Sequence, residues 1–318
     1  MHRLSPWFSL TIAFAAAVGA SCGSGGGANF GGGISGSGIV VGTITGFGSI
    51  FVNDIEFETT SATIRLEGQE GSEADLRLGM VVTVRGEIAA GAMTGVADSV
   101  DFEDVLEGPV DSVDVAAGLI VVFSQLVVTD QATVFDDTSL ATLMPGDVVE
   151  VSGFVDATGN IRATRVELEE DGEEFELKGT ITDIDLPNET FMIGGLTVDY
   201  SSAEIEGAPP GGLAIGLVVE VKASSPPVAD VLVADKVEVE DEDLGGDEGD
   251  ELEIEGFITD VVSPDEFIVN GSQLVRVTAG TEFEEGTAQD IAVNVRVEVE
   301  GLLDSGDVLV AEKVAFKD

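Results

Sequence analysis

Imidazole, thiol and indole are almost missing from this chain. Its one His is His2, its one Cys is Cys22 and its one Trp is Trp7, all near the N-terminus. The rest of the sequence therefore has no means of Ser-His-Asp or Cys-His catalysis, and no donors for a zinc-type site. One cysteine also leaves no internal disulfide. Positive charge is scarce: 13 Lys+Arg stand against 61 Asp+Glu, a formal net charge of -48. Such a field repels nucleic acid and attracts cations. Binding of single-stranded nucleic acid needs a basic groove and stacking aromatics, and only one Tyr is present. Phe51, Phe57, Phe123, Phe135, Phe191 and Phe267 fall at alternating positions of apolar runs and read as core. Nucleic acid is excluded as a partner.

What is present begins with an address. His2 and Arg3 precede an apolar run from Trp7 to Ala20, and small residues lead into Cys22. That pattern reads as a signal peptide over 1–21, with an apolar run too short to span a bilayer, which takes about 20 residues. Gly19-Ala20-Ser21-Cys22 resembles the bacterial lipoprotein signal, and this implies that Cys22 is lipidated. The alternative is an ordinary signal with a chance cysteine. Residues 22–37 then form the lipidated cysteine and a Gly/Ser-rich, flexible tether. Gly23 after the cysteine resembles lipoproteins sorted to the outer membrane. The expectation is an exported protein whose membrane partner is reached through this anchor, on the periplasmic face or at the cell surface.

Self-comparison finds one unit used four times. Each opens with a glycine in a β-type run: VGTITGF at Gly42, EGPVDSV at Gly108, KGTITDI at Gly179 and EGFITDV at Gly256. Later come LGMVVTVRG (Gly79, Gly86), PGDVVEVSG (Gly146, Gly153), IGLVVEVKA (Gly216, Ala223) and VNVRVEVEG (Asn294, Gly301). The first two positions lie 37, 38, 37 and 38 residues apart. Glycines at these positions mark bulges or close strand approach rather than a ligand site.

Val295, Val297 and Val299 alternate with Arg296, Glu298 and Glu300, the period of a strand with one buried face. Asn270-Gly271 is a hairpin turn signal, with Asn53-Asp54 and Gly194-Gly195 in the equivalent places. Ser124-Gln125 in the second unit implies a longer or different turn. In the first unit the predicted strands are 40–46, 48–53, 55–65, 80–88 and 93–103, with room for a helical turn before the fourth, as at 138–146 in the second unit. Five short strands and a small helix predict an all-β chain of four OB-fold-like barrels, with SH3-like or other small barrels as the alternative. The expected domains are 38–104, 105–171, 172–243 and 252–318, with an acidic linker over 244–251.

GTITGFGSIFVNDIEF (42–57) followed by DLRLGMVVTVRG (75–86) resembles the bacterial domain of unknown function 5666. The likeness is strongest in the first unit and extends over 38–318. It implies export and tandem repetition, and supplies no catalytic residue.

Acidic runs fall where one unit passes to the next: Asp101, Glu103, Asp104 and Glu107; then Glu167 to Glu176; then Asp241 to Glu251. Clustered carboxylates suit a hard cation such as Ca²⁺. The candidate ligands are Glu170, Asp171, Glu173, Asp241, Asp243, Asp247 and Asp250, although Leu252 stands where an EF-hand would need Glu. The alternative is a solvated spacer that repels its neighbours. No other cofactor is implied. Two acids suffice for a glycosidase, but no pair among 61 stands out. The chain is read as a non-catalytic envelope module that binds a glycan or protein, or as a structural acidic spacer.

Overall fold

The computed structural model describes residues 36–88, 93–169, 174–240 and 243–317. The signal, Cys22, nearly all of the tether, Glu170, Asp171, Glu173 and Asp241 lie outside the described residues.

Alternating apolar and polar residues set the same strand plan in each repeat. The first has β1 (Gly36–Gly46), β2 (Ile50–Val52), β3 (Ile55–Glu58), β4 (Thr63–Leu66), β5 (Gln69–Gly71), β6 (Val81–Ile88) and β7 (Thr94–Phe102). The second has β8 (Leu106–Asp114), β9 (Leu119–Val122), β10 (Gln125–Val128), β11 (Val134–Asp136), β12 (Val148–Val155) and β13 (Ile161–Glu169). The third has β14 (Phe175–Asp185), β15 (Thr190–Ile193), β16 (Leu196–Asp199), β17 (Glu204–Glu206), β18 (Val218–Ala223), β19 (Val231–Val233) and β20 (Lys236–Val239). The fourth has β21 (Glu251–Ser263), β22 (Glu266–Val269), β23 (Gln273–Arg276), β24 (Glu282–Glu284), β25 (Arg296–Leu303) and β26 (Leu309–Phe316).

In the first repeat β1 pairs antiparallel with β2 and β6, β2 with β3, and β6 with β7, while β3 runs parallel to β7. These pairings close a small barrel. The same ring recurs in the second repeat, the third and the fourth. The chain is all-β, and its four repeats are small five-stranded barrels.

Three local expectations need correction. The third strand predicted over 55–65 is broken after Glu58, and β3 and β4 each pair separately with β7. The helical turn is a short 3-10 helix in the first and fourth repeats, Glu73–Asp75 and Ala288–Asp290. In the second it is a turn in which Thr142 and Leu143 N–H groups donate to Ser139 O. The second repeat also keeps the two-residue hairpin, one place earlier than expected: Phe123 and Ser124 take φ 50° and 57°. A bulky residue rarely accepts that backbone. Phe123 does so with its ring 1% exposed and packed on Gly108, whose Cβ would fall 2.2 Å from it.

The repeats do not associate in chain order. β1 pairs parallel with β21, joining the first barrel to the fourth. β8 pairs antiparallel with β14, joining the second to the third. Both faces of β1 are used: Val40 and Ile44 enter their own core, whereas Ile39 and Val41 enter that of the fourth repeat. The second and third barrels share one continuous core. The two pairs touch as well. Thr164 Oγ1 donates to Gly79 O at 2.6 Å, and Arg165 Nη1 donates to Leu78 O at 3.2 Å. Between the second and fourth barrels, Arg162 lies over Phe257 and Arg296 over Phe154, at 5.6 and 6.0 Å. This reciprocal cation–π exchange is a favourable geometry for Arg.

Candidate functional site

The described members of the third acidic run do not gather into a cation site. Asp243 Oδ1 accepts from Gly245 N at 2.9 Å, and Asp250 Oδ2 accepts from Asp247 N at 2.9 Å, so both close local turns. The segment is also docked rather than held off as a spacer. Leu244 packs on the core of the fourth barrel, and its carbonyl accepts from Arg85 Nη2 at 3.0 Å. Among the described residues, the carboxylates that converge are others: Glu67, Asp104 and Glu176 in one group, and Glu150, Glu167 and Glu169 in a second.

Strand register explains much of this. Glu167, Glu150, Glu107 and Glu176 stand directly opposite one another across β13, β12, β8 and β14, and Asp136 extends the row on β11. Lys222 and then Lys236 continue it at the other end. Opposed like charges destabilise a sheet, yet this row crosses the seam between the second and third barrels. At one end Arg165, 1% exposed, holds Asp136 and Glu167 at 2.5 and 2.6 Å. At the other, Lys222 holds Glu176 at 2.8 Å and Glu220 at 3.4 Å.

The first repeat covers the middle of the row. Glu67 sits at φ 49° in the two-residue β4–β5 turn, followed by Gly68 at 70°. Its Oε1 accepts from Asp104 N at 2.7 Å. Asp104 lies between the first and second barrels and is 5% exposed. Asp104 Oδ1 and Glu67 Oε2 are buried and have no hydrogen-bond partner. One carboxylate oxygen from each of Glu67, Asp104 and Glu176 lies within 4.8 Å of the other two.

Burial and mutual repulsion move these acids upward. Burial pushes Glu67 to about 7. Asp104 rises well above the usual range through burial, then through Glu67 and Glu176. Glu107 and Glu150 reach about 7, mainly by burial and then by the charges of Glu169 and Glu167 respectively. Glu220 is raised to about 8 by burial and its contact with Glu176.

Each of four segments, 37–101, 107–167, 178–238 and 255–315, matches the family described as Domain of unknown function (DUF5666). The chain belongs to this family. No curated protein matches it. Among solved structures it is similar to drosophila Unr CSD456, at 16% identity over 67% of this chain and 97% of that chain, with a TM-score of 0.17.

The four DUF5666 repeats together line a cleft of about 1120 Å³. Its walls carry Thr83, Ser99, Thr158, Thr180, Thr182, Thr259, Asn270 and Ser272, from all four barrels. The basic groups there are already engaged: Lys178 with Glu103 and Glu240, and Arg65 and Arg85 with Asp101. A second cleft of about 690 Å³ lies among the first, second and fourth repeats, around Phe154, Arg162, Phe257 and Arg296. Asp104 lies at the edge of the larger cleft. Of the convergent acids, Asp104, Glu167, Glu169 and Glu176 fall in acidic runs visible in the sequence. Glu67 gave no signal beyond a Glu-Gly turn dipeptide.

Proposed function

We propose that this protein is a non-catalytic, lipid-anchored module of the bacterial outer membrane, held through Cys22, that binds a neutral, hydroxyl-rich ligand such as an envelope glycan. One observation carries the binding reading: all four barrels line one cleft, whose walls set hydroxyls such as those of Thr83, Thr180 and Ser272 beside apolar surface. Pockets of this order suit ligands of oligosaccharide or drug size. The basic side chains of the cleft are locked in pairs, which leaves hydrogen bonding as the natural mode of recognition. The tether over 22–37 and the lipoprotein-like Gly19-Ala20-Ser21-Cys22 support attachment outside the cytoplasm.

Calorimetry of the full chain in detergent with isolated cell-envelope glycans tests this. Saturable binding is expected, and Thr182→Trp should abolish it, because Thr182 is exposed on the cleft wall. No heat with any glycan fraction would favour the acidic-spacer reading, and release of shortened glycans would favour an enzyme.

A further inference from the structure

We propose that Glu67, Asp104 and Glu176 bind one hard divalent cation of the Ca²⁺ type, which clamps the first barrel onto the seam of the second and third. The three donors come from three places far apart in sequence: the β4–β5 turn, the passage between the first two repeats, and β14. One oxygen from each lies within 4.8 Å of the other two. Two oxygens on opposite sides of a Ca²⁺ ion, each at its usual ligand distance, stand about 5 Å apart. The spacing therefore admits an ion with little movement.

The independent sign is an unfilled valence. Asp104 is 95% buried, being 5% exposed, and its Oδ1 has no partner; Glu67 is half-buried as a residue, but its Oε2 is likewise buried and without a partner. Buried polar atoms in native proteins are almost always satisfied, and a buried charge without a counterion is costly. Lys222 pairs with Glu176 and Glu220, while among the described residues no Lys or Arg pairs with Glu67 or Asp104. Glu107 and Glu150 add further negative charge from the same row. An all-oxygen, all-carboxylate donor set selects Ca²⁺ or Mg²⁺ over softer metals. Three carboxylates on separate elements suit the variable coordination of Ca²⁺, with water completing the shell.

The test is calorimetric titration of the full chain in detergent with CaCl₂ alone, with melting curves in CaCl₂ and in NaCl at equal ionic strength. One saturable site and a melting temperature raised only by CaCl₂ are expected. Asp104→Asn should weaken the affinity at least tenfold while leaving the protein folded, since the amide is isosteric and removes a buried charge. Glu67→Gln should act in the same direction, so that a folding defect in one variant does not decide the result. Asn substitutions at Asp243, Asp247 and Asp250 together should leave binding unchanged. Identical melting curves in the two salts would overturn the proposal. So would calcium binding that survives Asp104→Asn and Glu67→Gln but is lost in the triple variant.

Discussion

The Asn270 side chain lies flat across Gly256: its Nδ2 donates to Glu255 O at 2.9 Å, and its Oδ1 accepts from Phe257 N at 3.1 Å. The hairpin turn is thereby tied to the first strand of the fourth barrel. A Cβ on residue 256 would fall 1.8 Å from Asn270 Oδ1. Asn53 repeats the arrangement over Gly42 in the first barrel, donating to Val41 O at 3.1 Å. Replacing Gly256 by Ala must therefore expel the amide and leave two main-chain groups to find other partners. We expect a loss of about 1–3 kcal/mol, read as a lower denaturation midpoint. A silent Gly256→Ala would mean that the turn is not fastened this way.

The glycines at the later position present a harder obstacle. A Cβ on Gly153 would meet the Arg162 carbonyl oxygen at 2.3 Å, at a register shift between β12 and β13. Main chain cannot swing aside as an amide can, so Gly153→Ala should destabilise more than Gly256→Ala. Gly146 has open space around it and only its φ of 96° to lose; its Ala variant should cost about 1 kcal/mol. Denaturant melts of the three variants test the order, and an inverted ranking would reject the steric account.

Much of the fold is legible because β periodicity and turn residues are local. Alternating valines give the strands, and the paired glycine positions give the repeat. What resists reading is long-range. Nothing in the sequence of β1 says that Ile39 and Val41 serve a barrel more than two hundred residues away, because a strand buried on both faces looks like any apolar run. The convergent acids show the same limit. The runs holding Asp104 and Glu176 are visible, but which carboxylates meet depends on strand register between repeats, and Glu67 arrives from a turn with no sequence mark. The Phe123 turn escaped because a buried ring, rather than turn propensity, fixes its backbone.

Arg165 carries three acceptors at once: Asp136, Glu167 and the carbonyl of Leu78 in the first barrel. Its planar fork can serve all three, which a lysine cannot. Removing it strands two carboxylates beside Glu150 and breaks a bond between barrels. Arg165→Met should cost about 1–3 kcal/mol, and Arg165→Lys should recover only part. Equal stability of the Met variant and the wild type in urea titrations would show that the two acids need no counterion.

Stability should fall as pH rises from about 4.5 to about 8, and Glu253 is a separable cause. It lies on β21 at the seam with β1, 5% exposed, opposite Glu300 and close to Glu298. Burial first, and those two carboxylates next, raise it from its ordinary 4.5 to about 8, against the pull of Lys313 and Asn53. The sign is opposite to that of a salt-bridged acid. Between the two values the folded chain holds a proton that the unfolded chain has released, so each step up in pH favours unfolding. The contribution is complete below 4.5 and gone above about 8. Glu253→Gln imitates the protonated carboxyl at every pH. It should match the wild type at pH 4.5 and exceed it at pH 9 by on the order of 2 kcal/mol. Glu67, Glu107, Glu150 and Glu220 tilt the curve in the same direction, so the decisive quantity is the gap between variant and wild type. A gap that stays constant from pH 5 to pH 9 in urea melts would mean that Glu253 is ionised throughout and that its neighbours accommodate the charge.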